Sequence, residues 1–162
     1  MATPDQSEPV GAVDGRGLVV AVIHTRWNPE IVDRLVDGSR RALADIGVDQ
    51  IESVEVAGAF ELPFAARVIA GSGRVDAIVA LGAVVRGETT HYQLVSEECA
   101  RGLQDVQIAT GVPIGFGVLA TETVEQALAR SGDAGGHNVG DDAARVAVEM
   151  ALLARRWAPS DG

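Results

Sequence analysis

The sequence predicts a single α/β domain of three layers, α/β/α, with a four-stranded parallel sheet carrying helices on both faces. Three observations predict it. Short continuous apolar runs alternate with segments of helical periodicity along the whole chain, the pattern of parallel strands joined by crossover helices. The 162 residues suit one domain with an adequate core. No internal repeat or linker divides the chain, and Gly, Asn and Pro fall at the ends of the periodic segments.

The elements follow in order. Leu18–Ile23 is a continuous apolar run, read as a buried strand. Asn28 and Pro29 give an N-cap and a first helical residue, followed by Ile31, Val32, Leu35, Val36, Ala42, Leu43 and Ile46 at helical spacing, with Gly47 as the stop. Ile51–Val56 reads as a second strand, and Glu61–Gly71 as a short helix. Asp76–Ala83 is the third strand, and the next helix runs from Thr90 to about Val106. Pro113–Leu119 is the fourth strand. Thr123 with Gln126 forms a capping box opening a helix that Gly132 closes. Asp141 and Asp142 favour the N-terminus of a last helix, whose expected buried stripe is Val146, Ala147, Met150, Leu153, Ala154 and Trp157. Residues 1–16 read as a polar tail, 17–158 as the domain and 159–162 as a second tail.

Composition excludes several functions. A formal net charge of −10 without a Lys/Arg cluster argues against nucleic acid and anionic membranes as partners. An anionic small molecule stays admissible, because a site needs only local positive charge. No apolar stretch is long enough to span a bilayer, and nothing resembles a signal peptide. A single cysteine, Cys99, allows no intramolecular disulfide and fits a reducing cytoplasm. It shares an apolar helix face with Tyr92, Val95 and Leu103, so it reads as core. His24 and His137 lack metal-ligand spacing, and no metal site is indicated.

Ligands of such sheets bind beyond the carboxyl ends of the strands. The residues there carry the chemistry. Arg86-Gly-Glu-Thr-Thr-His91 follows the third strand and opens a helix. Gly87 allows close backbone approach, Thr89 and Thr90 offer hydroxyls, and the first helical turn leaves N–H groups for an anion. His91 in that turn can exchange a proton near neutral pH; the same segment also reads as an ordinary capped turn. Trp27 after the first strand either covers the core or stacks on a flat heterocycle. Glu61 in Gly58-Ala-Phe-Glu61 either complements the helix dipole or accepts hydrogen bonds from a polyol. Arg130 stands in the last turn of a helix, where a cation is favoured in any case.

Taken jointly and in order, Arg26-Trp27-Asn28, Gly58-Ala-Phe-Glu-Leu-Pro63, Leu81-Gly-Ala-Val-Val-Arg-Gly-Glu-Thr-Thr-His91, Gly115-Phe-Gly-Val-Leu119 and Glu125-Gln-Ala-Leu-Ala-Arg-Ser-Gly132 resemble the 6,7-dimethyl-8-ribityllumazine synthases of riboflavin biosynthesis. The resemblance covers about Leu18 to Leu153 and implies a flavodoxin-like fold. It also implies a transferase that condenses 5-amino-6-(D-ribitylamino)uracil with 3,4-dihydroxy-2-butanone 4-phosphate, releasing phosphate and water, without metal or redox cofactor. His91 is then the acid/base. Trp27 stacks on the pyrimidine, and Ala59, Phe60 and Glu61 meet the ribityl chain, with Glu61 as acceptor. Ala83, Val84 and Val85 line the substrate site. Gly87, Glu88 and Thr89 present the turn to the phosphate, and Arg130 pairs with it. Phe116 approaches the heterocycle.

The resemblance further implies a homo-oligomer in which Phe116 and Arg130 reach the neighbouring subunit's site. Family members form pentamers, and in some of them twelve pentamers close into an icosahedral shell. The connection Gly132–Gly140, slightly longer than in shell-forming members, points to an isolated pentamer. A segment near residues 10–17 is expected to pair with a neighbour's sheet edge.

Two departures stand out. Where the family usually reads Lys-Gly-x-Glu-Ala-Ala, this chain has Val139-Gly140-Asp141-Asp142-Ala143-Ala144, which removes a cation that only His137 could replace. Gln93 stands where an acidic residue commonly follows the histidine by two positions. They support an alternative, a non-catalytic riboflavin- or lumazine-binding paralogue; retention of Arg130 and of the 87–89 turn opposes it. A flavodoxin-like FMN protein would explain the fold and the phosphate turn but not Gly58–Glu61.

Overall fold

The computed structural model describes residues 13–161. The expected tail at residues 1–16 and the pairing segment at residues 10–17 therefore fall partly outside the described residues. The elements are β1 (Val19–Thr25), α1 (Pro29–Asp45), β2 (Gln50–Val56), a 3-10 turn at Ala59–Glu61 leading into α2 (Leu62–Gly71), β3 (Ala77–Val85), α3 (His91–Thr110), β4 (Ile114–Thr121), α4 (Val124–Ala129) and α5 (Val139–Arg156). The four strands form one parallel sheet in the order β2-β1-β3-β4. The α/β/α architecture expected from the sequence is the one observed.

Alternation along the strands divides the interior in two. Val20 and Val22 of β1 with Val79 and Leu81 of β3 face α1 and α5, together with Leu35, Leu43, Ala144, Ala147 and Val148. Ala21, Ile23, Ile78 and Ala80 face α2 and α3, with Leu62, Ala66, Cys99 and Leu103. Each fully buried Leu, Ile or Val contributes about 1.5–3 kcal/mol relative to exposure, so these two layers dominate stability. Residues ahead of β1 close one end: Gly15 N–H donates to the Ile46 carbonyl at 2.6 Å, and Leu18 is fully buried.

The last helix corrects one expectation. Its buried face is Gly140, Ala143, Ala144, Ala147, Val148 and Ala151. Of the expected stripe Ala147 is buried, whereas Val146, Met150, Leu153, Ala154 and Trp157 are exposed, Trp157 by 78%. The cause is close backbone packing. A Cβ on Gly140 would collide with the Leu35 carbonyl of α1, and one on Gly115 with the Ala143 carbonyl of α5. Small residues fit that contact, and the larger ones stay outside. Asn138 caps this helix, and Asp141 and Asp142 lie in its first turn as expected. The Thr123–Gln126 capping box is present: Gln126 N–H donates to Thr123 Oγ1 at 3.2 Å, and Gln126 Oε1 accepts from Thr123 N–H at 3.3 Å.

Two measurements test this packing. Gly115→Ala should destabilise the protein by about 1–3 kcal/mol or more, because its methyl meets a backbone carbonyl that cannot move aside. Gly87→Ala, with open space around the added carbon, should leave the urea midpoint unchanged. Cys99 is fully buried, and desolvation pushes its thiol up to about 12. Thiol labelling at pH 8 should therefore be negligible in the native protein and complete in denaturant; rapid native labelling would contradict this burial.

Candidate active site

Chain direction at the middle of the sheet decides where a ligand can sit. From β1 the chain passes to β2 on one side, then returns to β3 on the other. The crevice beyond the carboxyl ends of β1 and β3 is thus the switch point of the sheet. Three loops and the start of α3 converge there.

The loop after β1 is held by Asn28. It was expected to cap α1, but its side chain makes no cap bond; its backbone is left-handed (φ 57°, ψ 56°). That conformation is tolerable for Asn. The freed amide instead donates from Nδ2 to the Ala83 carbonyl at 2.9 Å, tying the loop to the end of β3. Trp27 is 71% exposed at the rim. Its indole lies against Gly58, where a Cβ would stand 3.2 Å from both Trp27 Cδ1 and Glu61 Oε2. Gly58 N–H donates to Glu61 Oε2 at 2.9 Å, fixing the carboxylate in the turn after β2.

These pieces enclose a cavity of about 810 Å³. Trp27 and Asn28 form one wall, and Gly58, Ala59, Phe60 and Glu61 a second. Ala83, Val84 and Val85 at the end of β3 line it too, and α3 contributes His91, Leu94, Val95 and Glu98. Eight expected site residues therefore share one cavity: Trp27, Ala59, Phe60, Glu61, Ala83, Val84, Val85 and His91. Leu94, Val95 and Glu98 were missed there, although their spacing of three, four and seven from His91 puts them on its helix face. Gly58 was read only as part of a turn.

Gly87, Glu88 and Thr89 line a different, smaller cavity of about 110 Å³ with Arg86, Thr90, Tyr92 and Gln93. It is sized for a small anion, not for a heterocycle. Helix α3 starts at His91 with no side-chain cap from Thr90, while Thr89 Oγ1 accepts weakly from His91 N–H at 3.4 Å. Nearby cations are already matched. Arg86 Nη1 donates to Glu122 at 3.1 Å, and Arg26 Nε to Glu55 at 2.9 Å, a hydrogen bond that holds the Glu55 carboxyl below its ordinary range.

Phe116 and Arg130 line neither cavity. Phe116, half exposed on β4, borders grooves beside α3 and α5. Arg130 follows α4 and folds back, with Nη1 donating to the Gln126 carbonyl at 2.9 Å. Val139 is half-buried and packs against the core formed with α1 and α5. His137 Nε2 lies 3.1 Å from Asp142 Oδ2, so the one candidate for the missing cation already has an anionic neighbour. Among the described residues no cluster of three His, Cys, Asp or Glu is placed to hold a metal, and no helix is long and apolar enough to cross a membrane.

A doubly wound parallel sheet with a cavity at its switch point, bearing one imidazole, fixed carboxylate and exposed aromatics, defines a flavodoxin-like small-molecule-binding α/β protein. Comparison with known proteins narrows the class. The family model for 6,7-dimethyl-8-ribityllumazine synthase matches residues 17–155. A protein of that name from Streptomyces avermitilis is 48% identical over 139 residues, covering 85% of this chain and 86% of its own. One from Kineococcus radiotolerans is 47% identical over 148 residues, with 91% of each chain covered. Another from Xanthomonas axonopodis pv. citri is 50% identical over 135 residues, covering 82% and 87%. The chain belongs to the 6,7-dimethyl-8-ribityllumazine synthase family.

The Asn28 clip is testable on its own. Asn28→Ala removes the bond to Ala83 and puts a residue poorly suited to the left-handed region at that position. It should cost about 1–3 kcal/mol in urea unfolding. Asn28→Gly should cost less, because glycine keeps the backbone conformation.

Proposed function

We propose that the chain catalyses the condensation of 5-amino-6-(D-ribitylamino)uracil with 3,4-dihydroxy-2-butanone 4-phosphate to 6,7-dimethyl-8-ribityllumazine. The observation that carries this reading is the convergence of Trp27, Ala59–Glu61, Ala83–Val85 and His91 on one cavity, in a chain of this family. Trp27 stacks on the pyrimidine. Glu61, anchored through one carboxylate oxygen by Gly58, has acceptor capacity left for ribityl hydroxyls. The uncapped first turn of α3 and the small cavity at Gly87–Thr89 receive the phosphate.

His91 moves protons during imine formation and phosphate loss. The amine and the ketone are reactive in solution, and orientation supplies much of the acceleration. Arg130 and Phe116 lie away from their own chain's cavity and act on that of a neighbour. The working unit is therefore a homo-oligomer, a pentamer with sites between subunits, in the cytoplasm.

Lumazine formation followed by absorbance tests the reading. Turnover well above the uncatalysed background is expected. His91→Ala should lower kcat by about 10²-fold, the low end for a positioned acid/base group, and should retain measurable activity. Arg130→Ala should raise KM for the phosphorylated ketone about 10- to 100-fold, the loss of a charged hydrogen bond. A background rate from protein that still binds riboflavin or the lumazine tightly would refute catalysis.

A further inference from the structure

Arg130 stands at the head of a connection folded around one side chain. Asn138 is 4% exposed, and its amide is fully engaged. Nδ2 donates to the Arg34 carbonyl of α1 at 3.0 Å and to the Gly132 carbonyl at 2.8 Å. Oδ1 accepts from Gly140 N–H at 2.8 Å and Asp141 N–H at 3.2 Å, capping α5. The backbone around it closes a small loop: Val139 N–H donates to the Arg130 carbonyl at 2.9 Å, Gly132 N–H to the His137 carbonyl at 2.8 Å, and Ser131 bridges Asn138 in antiparallel fashion. There is no slack on the α1 side, because a Cβ on Gly38 would collide with this amide.

More than a helix cap is involved. A cap needs only Oδ1, and Ser, Thr or Asp would supply that. Both N–H donors are spent on carbonyls of other segments, one in α1 and one just after Arg130. A carboxylate there would face two carbonyl oxygens, and a hydroxyl could not span them. The Arg130 guanidinium rests on the Gln126 carbonyl of its own short helix, so its direction follows from how that helix end is seated. Ser131 Oγ, donating to the Ala127 carbonyl at 3.0 Å, holds that end from within, and Asn138 ties it to α1 and α5.

We propose that Asn138 is a positioning residue for Arg130: without touching the ligand, it sets the turn from which the arginine holds the substrate phosphate. This rests on the reading of Arg130 as the phosphate partner. An interaction that holds phosphate equally in ground and transition states shows in KM and not in kcat.

The test is steady-state kinetics of Asn138→Ser and Asn138→Asp, with each substrate varied in turn, in wild-type and Arg130→Ala backgrounds. KM for the phosphorylated ketone should rise about tenfold, while KM for the pyrimidine and kcat stay within about twofold. In the Arg130→Ala background the same substitutions should add nothing. A role in stability alone would instead lower apparent kcat with both KM values unchanged, and would persist without Arg130; that result overturns the proposal. Failure of both variants to fold overturns it too, since Asn138 would then be structural only. Absence of turnover by the wild type would reject the synthase reading separately. Calorimetric titration with inorganic phosphate then decides the point. Arg130-dependent binding weakened about tenfold by Asn138→Ser sustains the positioning role, and unchanged or absent binding overturns it.

Discussion

A parallel sheet must be covered on both faces, and the rest of this molecule follows from that constraint. It makes β1 and β3 continuous apolar runs, with successive side chains feeding separate cores. It forces the chain to cross from strand to strand by helices, so every strand ends at the same rim. Polar residues on the central strands are kept to the carboxyl end, as His24 and Thr25 are on β1, and chemistry is confined to that rim and its loops. The order β2-β1-β3-β4 then leaves one crevice where neighbouring loops diverge, and the large cavity lies there.

Electrostatics within that frame are lopsided. The chain carries a net charge of −10, and the cations beside the cavities sit on carboxylates: Arg26 on Glu55, Arg86 on Glu122 and Arg101 near Glu98. Exposed pairs of this kind add little stability, but they mute the positive charge offered to a ligand. Long-range attraction of a phosphorylated substrate is therefore weak, and screening beyond about 8 Å leaves capture to contacts. In the function proposed, backbone N–H groups at the start of α3 supply one such contact. An arginine from outside the cavity supplies the other in the function proposed, which gives oligomerisation a chemical reason.

What the sequence disclosed and what it hid differ by the range of the interactions involved. β1, β3 and β4 were legible because burial on both faces demands apolar runs, whereas the edge strand β2 alternates polar and apolar residues. The Thr123–Gln126 box was legible because its partners are three residues apart. Asn28 stands at the N-cap position ahead of Pro29 as its local pattern indicates, but its amide partner is hidden from that pattern, 55 residues away on β3. The stripe on α5 lay to one side of the buried face, where a close helix contact selects mainly Gly and Ala. Glu98 was readable in principle from its spacing to His91. The grouping of Trp27, Glu61 and His91 was expected from the resemblance, since loops after three different strands meet only in the fold. Asn138 was passed over altogether, for its decisive partner, the Arg34 carbonyl, is 104 residues distant.

Position 139 ties these threads together. The resemblance implies a lysine there, whereas Val139 packs its branched side chain against the core and offers no charge. His137 is held beside Asp142, where any proton it gains is balanced by a neighbouring carboxylate. Positive charge from this end of the molecule then rests on Arg130. A site with two cations can tolerate a loosely held one, because the other keeps the anion in place. With one cation, a displacement of about an ångström in its turn is felt in full. Replacing lysine by valine should thus have raised the demand on the connection that seats Arg130. In the positioning role proposed for Asn138, its four hydrogen bonds, with the glycine at position 38 that admits its amide, meet that demand.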